Sequence, residues 1–286
     1  MGNPAHRPIS PIALGAQRNA SELNRTGQTV QQLLGNTTPR PSPSTTPPPG
    51  RPATPPIPPP PLLWGKTDPH GADIAFTSDR VEVVTLRGKN GKPVGISFPT
   101  KADDAVELRE WARVHRNSDK SYVPNWYPGK EDLPNSSVRA PWHDPQNPKV
   151  PFYAHAHADP HRFQVGVRRN TGQPGHPVVG YQSVDINGTT HGQLLRENRR
   201  FQQASQSDPT LPVVYLSCRS GSPYGSAAAD SANVLHGTHS GHGTHSGRVF
   251  APTGEGVRIW DPGESWYGVK PGKHNGRTFR GEFREF

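Results

Sequence analysis

The chain has one cysteine, Cys218, in 286 residues. That excludes an intramolecular disulfide framework and any cysteine-rich zinc site. Hydrophobic residues make up only 30%, against 35 prolines and 30 glycines, so much of the length cannot offset its ordering entropy by burial. One compact domain is the expectation. No apolar run is long enough to span a bilayer, and the start lacks the charged, apolar and small-residue succession of a signal peptide. The cellular address stays open between the cytoplasm and export without a visible signal. No cofactor-binding motif is present.

Positive charge is plentiful. The formal net charge is +9, which favours acidic partners in general, yet the lysines and arginines are scattered and fit a solvated basic surface. Residues 1–63 read as a disordered proline-rich arm and linker. Their run TTPRPSPSTTPPPGRPATPPIPPPPLL favours extended polyproline II, the conformation of a semi-rigid spacer.

Residues 64–286 read as the folded part. Arg80–Leu86, an Asn-Gly turn and Gly95–Phe98 predict a hairpin. Lys101–His115 predicts a helix, with Ala105, Leu108, Trp111 and Ala112 on one face and Asp103 and Asp104 in the first turn, where the helix dipole favours acids. Val150–His155 reads as a buried strand, and Phe163–Val167 with Val178–Val184 as a hairpin. Thr189 or Thr190 is expected to cap a helix running through Leu194, Leu195 and Phe201. A strand from Leu211, a helix over Ser226–Leu235 and a short strand at Arg248–Pro252 follow. The order of strands and helices predicts an α/β fold, a mostly parallel sheet flanked by helices with β-hairpin additions. The tail to Phe286 shows no firm period.

The stretch LPVVYLSCRSG places Cys218 where a buried strand stops. Reacting groups gather at the carboxyl ends of strands in open α/β sheets, because exposed loops there are held by rigid strands. A thiolate nucleophile needs a base or a positive environment. The helix after Cys218 would lower its pKa, and the amides of Arg219–Gly221 would cradle an oxyanion. His157 follows one strand as Cys218 follows another, so two adjacent parallel strands would present imidazole and thiol at one sheet edge. His155 and His161 compete for that role. A small core cysteine and a structural histidine remain the plain alternatives.

The pairing of YAHAHADPHRFQV with PVVYLSCRSG, then a small-residue helix and VFAPTG, resembles the cysteine peptidases of the caspase and hemoglobinase clan. More closely, it is similar to the self-processing cysteine protease domains of bacterial toxins and the lonely-Cys domain of actinobacterial polymorphic-toxin-like proteins. The similarity covers a core of about 150–254. It implies a caspase-like fold for 64–286, Cys218 as nucleophile and His157 as its imidazole partner, with no obligatory third member. It also implies a peptide substrate in the protein's own chain or a linked toxin segment, and an anionic effector such as an inositol phosphate. An inactive scaffold module is the alternative.

Two other features carry chemistry. HGTHSGHGTHSG holds His236, His239, His242 and His245 among glycines and serines, a pattern of adventitious metal binding rather than a preorganised site. Trp260, Trp266, Tyr267, Lys270, Lys273, His274, Arg277 and Arg280 form an aromatic and basic tail that suits single-stranded nucleic acid or a polyphosphate. Packing of those aromatics against the sheet is the plainer account and the one expected.

Overall fold

The computed structural model describes residues 61–67, 70–113, 122–125, 136–170, 179–237, 245–261 and 264–286. The proline-rich run before residue 61 and the TGQPG turn lie outside them. The strands run β1 Leu63–Lys66, β2 Asp73–Phe76, β3 Val84–Arg87, β4 Pro93–Ser97, β5 Tyr122–Asn125 and β6 Ser136–Arg139. Then come β7 Phe152–His155, β8 His157–Ala158, β9 Phe163–Asn170, β10 Val179–Ile186, β11 Val213–Tyr215 and β12 Val249–Pro252. The tail adds β13 Glu255–Asp261, β14 Glu264–Lys270, β15 Gly272–His274, β16 Arg277–Phe279 and β17 Phe283–Glu285. Four helices occur among the described residues: α1 Ala102–Arg113, α2 Gly188–Glu197, α3 Arg199–Ser207 and α4 Ala227–Leu235.

The fold is mixed α/β. Its central sheet has the order β17-β12-β11-β7-β4-β3. The four middle strands are parallel, with Val213 paired to both Phe152 and Val249, and Gly95 to Tyr153. The edges, β3 and β17, are antiparallel. A second sheet, β2-β1-β10-β9-β8, is antiparallel throughout.

Alternation along the central strands divides the core. Phe152, Ala154, Val213, Tyr215, Val249 and Ala251 join one cluster with Leu194, Leu195, Phe201 and Leu235 of α2 to α4. Tyr153, Val214 and Phe250 join the other with Leu108, Trp111 and Ala112 of α1. Successive strand residues point to opposite faces, so both faces of β7, β11 and β12 are apolar and covered by helices. Each large side chain so buried contributes roughly 1.5–3 kcal/mol before entropy is subtracted.

Several local expectations are revised. The helix expected from Thr189 or Thr190 is two helices. Asn187 caps α2 by accepting from the Thr190 amide, and Asn198 caps α3 by accepting from the Arg200 and Phe201 amides. Asparagine does this because its short side-chain oxygen reaches the unpaired amides of a first turn. His157, expected in a loop, sits in β8 and pairs with Gln164 of β9. The tail without a period folds as hairpins, one of them turning at Asn275 and Gly276, both at positive φ.

Candidate functional site

Cys218 and His157 lie just beyond the carboxyl ends of β11 and β7, which are neighbours in the sheet. The parallel ladder continues past the strands. The Leu216 amide donates to the Ala154 carbonyl at 2.8 Å, and the Ala156 amide donates to Ser217 Oγ at 3.3 Å. The residues preceding His157 and Cys218 are thus bonded to each other. Both side chains border the same two cavities.

One cavity, of about 360 Å³, is lined by Asp159, Arg162, Asp185 and Glu255 as well as the pair. The other, of about 210 Å³, lies towards α1 and the β13–β14 hairpin, with Asp104, Glu107, Arg258 and Tyr267 in its wall. In the first, Arg162 is divided between Asp159, whose Oδ2 is 2.7 Å from Nε, and Asp185, at 3.4 Å. In the second, Arg258 pairs with Glu107.

His157 Nε2 is 3.0 Å from Oδ2 of Asp104, an ion-pair contact in which the ring N–H is not aimed at the oxygen. Asp104, only 7% exposed, reaches back over the first turn of α1. The same oxygen accepts from the Thr100 amide and hydroxyl, each at 3.1 Å, and from the Lys101 amide at 3.3 Å. Burial alone would raise the Asp104 pKa, but His157 and the Thr100 hydrogen bonds outweigh it and hold the carboxyl below its ordinary value. Its position in the first turn gave it only a helix-dipole role in the sequence. The 53 or so residues separating it from His157 carry no local signal of the contact, which only long-range folding creates.

The other two histidines differ in kind. His155 is buried, with Nδ1 3.0 Å from Ser97 Oγ, and lines only the α1-side cavity. Burial first, and then the charge of His157, push its pKa down to about 3. Exposed His161 lines neither cavity, and its amide donates to Asp159 Oδ1 at 2.7 Å.

The thiol surroundings depart from expectation. Helix α4 begins only at Ala227, and burial is the main influence on Cys218, raising its pKa. The charge of Glu255 also raises it, while the Gly256 carbonyl and Arg219 act the other way. Sγ donates to that carbonyl at 3.7 Å. The amides expected to form an oxyanion hole are already engaged: Arg219 donates to Gly254, Ser220 to Ser217 and Gly221 to Pro252. Arg219 takes φ 57°, a left-handed conformation uncommon for a residue with a Cβ. Gly256 is needed beside the thiol, since a Cβ there would stand 1.9 Å from the Tyr267 hydroxyl.

The histidine-rich segment is partly described. The His236 and His245 rings are parallel with centroids 6.2 Å apart, and His236 Nε2 is 3.0 Å from the Gly247 carbonyl. His239 and His242 lie outside the described residues. Among the described residues, no group of three or more His, Cys, Asp or Glu side chains is placed to hold a metal. Tyr267 packs inward against Trp111, while His274 stacks on exposed Tyr224 at 3.7 Å. Among the described residues no helix is long and apolar enough to cross a membrane. No family model, curated protein or solved structure matches the chain.

Proposed function

We propose that the folded part is a caspase-like, self-processing cysteine peptidase domain of a toxin-like or secreted polyprotein, with Cys218 as nucleophile and His157 as base. The observation that carries this reading is the placement of both side chains past neighbouring parallel strands, bordering two shared cavities. The four-stranded parallel centre between helices supports the caspase-like assignment.

In this chemistry the Sγ–H proton passes to the imidazole as sulfur forms a bond to the scissile carbonyl carbon. The carbonyl electron pair moves to oxygen. When the intermediate collapses, the C–N bond breaks and the departing amine takes the proton from His157. Water, deprotonated by His157, then attacks the thioester carbon; the C–S bond breaks, the acid product leaves and the proton held by His157 returns to Sγ. The substrate is a peptide in the same chain or a linked toxin segment. An anionic effector such as an inositol phosphate belongs to the same proposal, with Lys270, Lys273 and Arg277 on the tail hairpins and Arg280 just past them as its basic contacts.

The test is self-cleavage of the full chain carrying native flanking sequence, followed by mass spectrometry. Cleavage lost in both Cys218→Ala and His157→Ala is the expected result; unchanged cleavage in the two variants ends the proposal. A second reading, an inactive scaffold module, is favoured by the raised thiol pKa and the engaged amides. Under it, Cys218 alkylates no faster at neutral pH than an unactivated buried thiol.

A further inference from the structure

We infer that the larger of the two shared cavities is a specificity pocket for a basic side chain, so that the scissile bond follows an arginine or a lysine. This rests on the peptidase reading above and adds the chemical class of the residue that reading left open.

The cavity floor is one row of the antiparallel sheet. His157 lies opposite Gln164 on β9, and Gln164 lies opposite Asp185 on β10. Directly opposed residues point to the same face, so the three side chains stand in line, with Asp185 two strand spacings, about 10 Å, from the strand of the imidazole. All three border the cavity. Asp185 is only 6% exposed, and its Oδ2 accepts no hydrogen bond among the described residues. Its ion-pair partner, Arg162, is 3.4 Å away and not aimed at that oxygen. Arg162 instead directs Nε to Asp159 Oδ2 at 2.7 Å, and Asp159 Oδ1 accepts from the His161 and Arg162 amides. Asp159 is thereby satisfied. Lys66, opposite Asp185 on its other side, pairs with Asp73 at 3.5 Å. Two carboxylates thus share one guanidinium, and the negative charge left over sits on the buried one.

A buried carboxylate short of hydrogen bonds is costly, and the group that relieves it is a cationic donor. At the rim Arg219 and Glu255 are both exposed and of opposite sign, so solvent screens each and neither sets a preference. The choice is made at the floor. An acidic side chain would meet Asp185 and would have to draw Arg162 from Asp159, while a large apolar one would seal the carboxylate in without a donor. Arginine and lysine have the length to carry a cation down to Asp185, with Ala158 and Gly256 as small apolar walls for their stems. The residue that bears the scissile carbonyl is the one bonded to Sγ in the thioester, so its side chain is the one presented to a cavity that Cys218 borders. The α1-side cavity holds no comparable site: Asp104 accepts from Thr100 and Lys101, and Glu107 pairs with Arg258.

The experiment uses the full chain and peptides that differ only in the residue before an aminomethylcoumarin leaving group: arginine, lysine, leucine, asparagine or aspartate, each with and without inositol hexakisphosphate. The arginine and lysine peptides are expected to exceed the others by about a hundredfold in kcat/KM, with all turnover lost in Cys218→Ala. In the self-cleaved chain, the new carboxyl terminus is expected to be arginine or lysine. Asp185→Asn keeps the shape and removes the charge, and is expected to lower the arginine-to-leucine ratio of kcat/KM about tenfold or more. Thermal melting checks that this variant folds; if it does not, the wild-type peptides decide alone. A leucine, asparagine or aspartate peptide cleaved as fast as the arginine one, or an unchanged ratio in folded Asp185→Asn, overturns the inference and leaves the peptidase standing. No turnover of any peptide removes the peptidase reading, and this inference with it.

Discussion

Mild acid should destabilise this fold through histidines buried in neutral form, and His191 isolates the effect. Its ring is fully buried, stacked on Phe163 at 3.7 Å, edge-on to Phe98 and Tyr215, with Nδ1 2.9 Å from Ser231 Oγ. Burial pushes its pKa down to about 3. The unfolded chain titrates near the ordinary 6.5, so between these values the unfolded state binds the extra proton. The stability contribution is therefore complete above about pH 6.5 and drains away as pH falls towards 3. At pH 5 the loss from His191 is about 2 kcal/mol, since each pH unit inside the window is worth about 1.4 kcal/mol. His155, held near 3, adds a similar amount, and His245, held near 4 mainly by burial, contributes in the same direction. Asp104, Asp159 and Asp208 have lowered values and surrender their contributions only as pH falls below the ordinary carboxyl range. The window from pH 7 to 5 thus reads histidine. Urea unfolding followed by tryptophan fluorescence at the two pH values measures it. His191→Phe keeps a ring against Phe163 but cannot titrate, so its pH-dependent loss should be smaller than the wild type's by about 2 kcal/mol. Equal losses in the two proteins would refute the burial argument, whatever the variant's stability at pH 7.

Other perturbations have distinct signatures. Arg219→Gly relieves a left-handed residue and should raise stability by up to about 1 kcal/mol in urea melts, while slowing Cys218 alkylation because a charge that lowers the thiol pKa is gone. Asn198→Ala removes the cap at the α2–α3 break and should cost about 1 kcal/mol, measured by chemical denaturation. Tyr215→Phe deletes the 2.7 Å hydroxyl contact to Ser231 and should cost about 1 kcal/mol in the same assay; Ser231 keeps its His191 contact.

The strands of the central sheet were legible because they are buried on both faces, which leaves short continuous apolar runs such as Val213 to Leu216. The adjacency of the His157 and Cys218 strands was expected from the way both end in a reactive side chain, and the chain length between them permits the crossover it needs. Local chemistry was legible where one residue type determines it, as at the Asn-Gly turn before β4. The same signal at Asn275 and Gly276 marks the β15–β16 hairpin, but the flanking strands are too polar to show alternation. The α2–α3 break was hidden because Asn198 interrupts an otherwise helical pattern without proline or glycine. Asp104 was beyond reach for a different reason: its Thr100 contacts are local, whereas its contact with His157 exists only once α1 has packed beside β4 and β7. The engaged amides of Arg219 and Gly221 depend likewise on the return of β12 and the residues after it.

The parallel ladder also sets a clock. Ser97 and His155 meet across 58 residues, and Ala156 and Ser217 across 61, so neither junction can form by local zippering. Closing such loops before any contact rewards them places folds of this kind among the slower ones. The thiol and imidazole are consequently strangers in the nascent chain and in any partly collapsed intermediate. Self-cleavage by this pair would be silent during synthesis and would begin only when the sheet is complete, so the appearance of cut product would report the moment of folding.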